Sequence, residues 1–124
     1  MATMLIKLRR QALADQHGRC FYCALPVWEA NGKRFAREHG IARAVARYLR
    51  CTAEHLVARQ DRGASIRENI VAACWWCNHQ RHHEGEKAPK PDSWQTTTRA
   101  RVGAGKWHPA VVDSSELPRR RRLY

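Results

Sequence analysis

No stretch of this chain is both long and free of charge, so nothing in it has the pattern of a bilayer-spanning helix. The opening MATMLIKLRRQ has too short an apolar run for a signal peptide, and the expectation is a soluble, cytoplasmic protein with no membrane partner. Acidic residues are scarce: 11 Asp and Glu face 23 Lys and Arg, for a formal charge of +12. Basic residues that neutralise phosphates release condensed counterions, so a deficit of this kind points to a polyanion, with nucleic acid first. No internal repeat is present. With 124 residues the chain makes one domain with a modest core, and a metal cross-link is a plausible part of its stability.

Cysteine is present in an odd number, five, and four of these form two C-x-x-C pairs, CFYC at 20–23 and CWWC at 74–77. Without an export signal such pairs favour thiolates on a metal over disulfides. Cys20, Cys23, Cys74 and Cys77 give the soft tetrahedral set that suits Zn²⁺. A clamp across so long a loop removes unfolded-state entropy, which makes the site structural. A thioredoxin-type redox pair would leave the second C-x-x-C unexplained. Cys51 is left over as a small buried thiol.

Along the chain, residues 5–16 read as an amphipathic helix stopped near Gly18. The first knuckle then leads through Pro26 into an extended segment. FAREHGIARAVARYLR at 35–50 reads as two short helices broken at Gly40, and RCTAEHLVA as a strand. IRENIVAAC passes through a short apolar run into the second pair, and from Cys77 about two helical turns fit before Gly85. Beyond residue 86 lie four of the five prolines and nine basic residues against three acidic ones. Ser93 to about Val102 reads as a short basic helix, Trp94 and Trp107 as anchors to the core, and RRRR at 119–122 as a solvated, mobile end.

With four cysteines assigned to structure, the residues left to carry chemistry are Glu54, His55, Asn69, Asn78, Arg81 and His82. Phosphodiester hydrolysis needs a group titrating near neutrality to take a proton from water, and a divalent cation on the scissile phosphate. His55 suits the first task, and an oxygen-held Mg²⁺ or Mn²⁺ the second. On a helix from Cys77, Asn78 and His82 share a face, whereas His79 and His83 form a pair about 100° round. His79 and His83 read as a solvated or DNA-facing surface. Trp75 and Trp76 read as a shield for the zinc, packed against Phe21 or Tyr22.

The ordered elements CFYC, EH, DRG, N and CWWCNHQR across residues 20–81 resemble the HNH endonuclease family, in its four-cysteine zinc branch. The resemblance implies a small α+β fold: a ββα-metal (His-Me finger) core braced by the zinc, with flanking helices and a basic C-terminal tail. It implies a nuclease domain over 1–85, with a helical insertion at 33–49 and the core at 50–85, and a basic extension over 86–124. It makes His55 the general base and Glu54 and Asn78 catalytic metal ligands, with His82 as a further ligand. Asn69 ties down the loop between the strands, and Arg81 stands where the branch has a phosphate-binding Lys. Neighbouring strand residues point to opposite faces, so Glu54 and His55 meet at one site only if the strand ends or bends there.

The expected function is metal-dependent DNA cleavage through backbone contacts, by a monomer or a homodimer. The rival is a non-catalytic zinc-containing DNA-binding module, supported by the helix, Gly turn, helix pattern at 35–50.

Overall fold

The structure, a computed structural model, describes residues 3–83 and 87–109. Helix α1 (Met4–Asp15) starts where Thr3 accepts a hydrogen bond from the Ile6 amide, 3.2 Å away. It ends in a turn through His17 and Gly18, both at positive φ. Gln16, just past its end, uses both side-chain ends on one residue of the sheet: its amide nitrogen donates to the Ala72 carbonyl at 2.8 Å, and its oxygen accepts from the Ala72 amide at 3.0 Å. Helix α1 is thus fastened along the sheet edge, with Leu13 in the core.

After the first knuckle, α2 (Gly32–His39) is capped by the Asn31 side chain, which accepts from the Arg34 amide, and is closed by Gly40 at φ 64°. The Trp28 indole lies so close over Gly32 that a Cβ there would sit 2.7 Å from it, which requires glycine at this helix start. Helix α3 (Arg43–Ala46) and a 3₁₀ turn at Arg47–Leu49 lead directly into strand β1 (Cys51–His55). With no room for a third helix before β1, the segment packs beside the sheet: Phe35, Ala36, Ala46 and Leu49 are buried in the common core.

Strand β1 pairs antiparallel with β2 (Ile70–Cys74), with Cys51 opposite Cys74 and His55 opposite Ile70. β2 continues without a loop into α4 (Trp75–His83). The result is the small α+β fold with a ββα core expected above. The helix starts two residues earlier than expected, inside the cysteine pair, because Cys74 Sγ accepts from the Cys77 amide at 3.3 Å and so caps the first turn. Trp75 and Trp76 are therefore helical, and they do not face Phe21 or Tyr22. Both lie against Tyr48, with ring centroids 5.7 and 5.5 Å away, and Trp76 also meets Trp107 at 6.1 Å.

Helix α5 (Pro91–Gly103) lies over the zinc knuckle rather than apart from the core. Trp94 donates to the Cys77 carbonyl at 3.2 Å, and Gln95 to the Phe21 carbonyl at 2.7 Å. Arg99 donates to the Tyr22 carbonyl at 3.0 Å. Trp94 and Trp107 are buried and meet edge to face at 5.3 Å. The expected helix stop at Gly85 and the expected mobile RRRR end lie outside the described residues. Among the described residues no helix is long and apolar enough to cross a membrane.

Candidate functional site

The four paired cysteines meet at the junction of the first knuckle, β2 and α4. Their sulfurs all lie within 4.8 Å of one another, and Cys23 Sγ is 3.9 Å from Cys74 Sγ. Corners of a tetrahedron with Zn–S bonds of about 2.3 Å are roughly 3.8 Å apart, so the cage has the right size. Backbone amides of Tyr22, Cys23 and Cys74 point at Cys20 Sγ, and the Trp107 indole donates to Cys77 Sγ. Burial pushes the Cys74 and Cys77 thiols well up, as do their hydrogen bonds to Cys20. Burial also opposes charge on Cys20, but hydrogen bonds from its three partners hold it well below the ordinary thiol range. Four buried thiolates need a cation between them, and the donors fit a structural metal such as zinc. Cys51 stands outside this set as an inert thiol, pushed up to about 12 chiefly by burial.

Glu54 sits at the centre of a second cluster and is 2 % exposed. Its Oε2 accepts from the Tyr22 hydroxyl at 2.9 Å and from Arg81 Nη1 at 2.9 Å. His82 Nε2 approaches both carboxylate oxygens, 3.0 Å from Oε1 and 3.1 Å from Oε2. Oε2 thus has three partners, whereas Oε1 has His82 alone among the described residues. Asn78 donates its Nδ2 to Thr52 Oγ1 at 3.1 Å and to the Ala53 carbonyl at 3.4 Å, which leaves its Oδ1 as the atom for a cation. Adjacent ligands of an octahedral ion bound at about 2.1 Å are roughly 3 Å apart. The Oε1 to Nε2 separation, here that of a hydrogen bond, is of the same size, so Glu54 and His82 are groups that could hold a small divalent cation.

His55 and Glu54 line one open pocket with Asn78, His82 and Arg59. The strand ends at His55 and the chain bends at Leu56 and Val57, which lets neighbouring residues serve one site. His55 Nε2 lies 3.0 Å from Ser65 Oγ and accepts from Arg59 Nε at 3.3 Å. Burial of the ring, and then the Arg59 guanidinium, hold its pKa below the ordinary imidazole range; Glu54 opposes this and His82 adds to it. The loop carrying Ser65 is held by Asn69, whose side chain accepts from the Val57 amide at 2.7 Å and donates to the carbonyls of Val57 and Ala64. Gly63 completes that loop: a Cβ there would lie 1.6 Å from the Val57 carbonyl oxygen, so only glycine permits the approach.

Arg81 requires a correction. As the counterpart of a phosphate-binding Lys it was expected to face the substrate, but it is 3 % exposed and turned inward. Besides Glu54, its guanidinium donates to the carbonyls of His55, Leu56 and Pro89 at 3.2, 3.0 and 3.0 Å. The planar fork satisfies the bent end of β1 and the segment before α5, a task an ammonium could not match. Arg81 therefore holds the carboxylate and the bend in place, four of its five N–H donors spent on the protein and its guanidinium buried away from a substrate phosphate.

Tyr22, Arg59, Ser65 and Thr52 belong to the site, and nothing in the local sequence marks the last three. Tyr22 had one available signal, its place between two metal-ligand cysteines. Its phenol is pushed up by burial and then by Glu54, so it remains a hydrogen-bond donor. His79 and His83 stand apart from the Glu54 cluster. Their rings stack on each other at 5.2 Å, and His79 stacks on Trp75 at 4.4 Å with 11° between the planes.

A family model described as HNH endonuclease matches residues 20–84, more than half of the chain. No curated protein and no solved structure matches it.

Proposed function

The chain belongs to the HNH endonuclease family, and from that membership we propose that it is a metal-dependent DNA endonuclease that holds DNA mainly through backbone phosphates. The observation that carries the reading is the convergence of Glu54, His55, Asn78 and His82 on one open pocket. A charge of +12 supports a polyanionic substrate.

In this reading His55 is the general base. Its ring is neutral near neutral pH because burial and Arg59 disfavour the imidazolium, so it can accept a proton from the attacking water. The water oxygen bonds to phosphorus as the bond to the 3′ oxygen breaks, and that oxygen leaves as a hydroxyl after gaining a proton from solvent. Glu54 through Oε1, His82 through Nε2 and Asn78 through Oδ1 are the groups that would hold Mg²⁺ or Mn²⁺. Bound there, such an ion supplies charge neutralisation at the scissile phosphate and the leaving oxygen. Exposed Arg59 contacts the phosphate beside His55, while Tyr22, Asn69 and Arg81 are positioning residues.

The test is nicking of supercoiled plasmid by purified protein with and without added Mg²⁺ or Mn²⁺, beside a His55→Ala variant. The expected result is metal-dependent cutting that falls by about 10²–10⁴-fold in the variant. Full-rate cutting by the variant removes His55 as the base. Failure of the wild type to cut any DNA or RNA leaves the rival reading, a zinc-containing DNA-binding module.

A further inference from the structure

Beyond the catalytic pocket a track of side chains continues along the outer face of α4 and has no part in the chemistry above. The pocket around His55 shares Asn78 and His82 with a second cleft of about 430 Å³ that also holds Arg50, Trp75, His79 and His83. That cleft in turn shares Arg50 and Trp75 with a third, of about 380 Å³, completed by Arg47 and Tyr48. Among the described residues, neither of the two outer clefts has a carboxylate in its lining.

The composition of this track is particular. Trp75, His79 and His83 are four residues apart in sequence and so share one face of the helix. Their rings form a ladder, with planes 11° apart at the first step and 22° at the second. Arg47 lies over the Tyr48 ring at 4.8 Å, and Tyr48 lies 5.7 Å from Trp75. Arg47, Arg50, His79 and His83 are exposed. Contacts to a continuous duplex from outside would need cations alone, since its bases are stacked on each other. Flat rings alternating with guanidinium groups in a concave track match a strand whose bases are unpaired.

We propose that this track binds unpaired DNA next to the scissile phosphate, with a base beside the Trp75–His79–His83 ladder and the following phosphates on Arg50 and Arg47. The protein then acts where a strand is locally single, as at a flap, gap or overhang. This rests on the nuclease reading for which strand lies in the pocket, but its test does not use cleavage.

Binding is measured by fluorescence anisotropy in the His55→Ala background, without added divalent metal, at one fixed salt concentration. The probes are a labelled oligothymidine and a duplex of the same length. Arg50→Gln combined with His79→Ala is expected to weaken binding of the single strand about tenfold while duplex binding changes less than twofold. His79→Phe, which keeps a flat ring, retains single-strand binding. Zinc content and melting temperature check that each variant is folded. Equal loss on both probes, or no loss on the single strand, overturns the proposal, as does a His79→Phe variant that binds as poorly as His79→Ala. If the wild type fails to nick plasmid, the nuclease reading falls while these binding results stand.

Discussion

The two ends of α4 hold two clusters built to opposite specifications. At its start, Cys74 and Cys77 are fully buried, their sulfurs bonded by backbone amides and the Trp107 indole. One and two turns further on, Asn78 and His82 open onto a pocket that Glu54 also lines. Structural metal sites close their coordination shell with protein, whereas catalytic sites leave positions for water and substrate. A single nine-residue helix thus joins a closed end to an open end. The two are coupled by Tyr22, which lies between two zinc-site cysteines and donates to Glu54.

Removing the metal from the closed end should have the largest effect. Stripping zinc with a chelator under denaturing conditions, or substituting Cys77→Ser, should abolish cooperative unfolding in thermal melts. Structural zinc contributes on the order of 10 kcal/mol of folding free energy in small domains, comparable with the whole stability of about 5–15 kcal/mol that such a domain has. A cooperative melt within a few degrees of wild type in zinc-free protein would mean the cage is dispensable.

The second prediction asks whether the open end also carries stability. Arg81→Met leaves the Glu54 carboxylate buried without its cation, and removing one partner of a buried pair costs about 3–5 kcal/mol. Denaturant titration should register that loss together with loss of cutting. A variant as stable as wild type would show that Arg81 matters only to chemistry.

Tyr22→Phe tests the link between the ends more gently. It removes one donor from a carboxylate that keeps two others, and the expected cost is about 1–2 kcal/mol. Zinc content should be unchanged, because the Tyr22 amide, not its phenol, faces the cage. Falling zinc occupancy would place the phenol on the wrong side of the comparison.

The smallest effect is a shift in a pH profile. The base works only when neutral, so cleavage should fall as pH drops through the pKa of His55. Burial and Arg59 hold that value below the ordinary imidazole pKa, so the acid limb should have its midpoint below about 6.5. Arg59→Gln removes the second of these causes and should move the midpoint up. A midpoint above the ordinary value in the wild-type protein would assign the limb to another group.

The difference between the two clusters also explains how much of each was legible in the sequence. The cage was readable in full, because knuckle geometry ties each pair of ligands to a fixed C-x-x-C spacing. The elements at the open end were readable as types and order: EH at a strand end, then N, then CN at the head of a helix. Their functional surroundings were not. Arg81 looked like a phosphate contact because its exposure depends on how the end of β1 and the segment before α5 fold around it. Trp75 and Trp76 were expected against the first knuckle. Their partner is Tyr48, which is distant in sequence and reaches them because the 3₁₀ turn at Arg47–Leu49 runs beside α4.

The sequence by itself determined the four-cysteine clamp, the helix and strand periods and the basic charge, since each is set by spacing or composition along the chain. Tertiary structure alone decided which groups surround Glu54, that Arg81 points inward, and that α5 covers the zinc knuckle. Each of these depends on groups 8 to 78 residues apart in sequence meeting in space. Such meetings are selected by burial and hydrogen-bond satisfaction over the whole core, which no local pattern records.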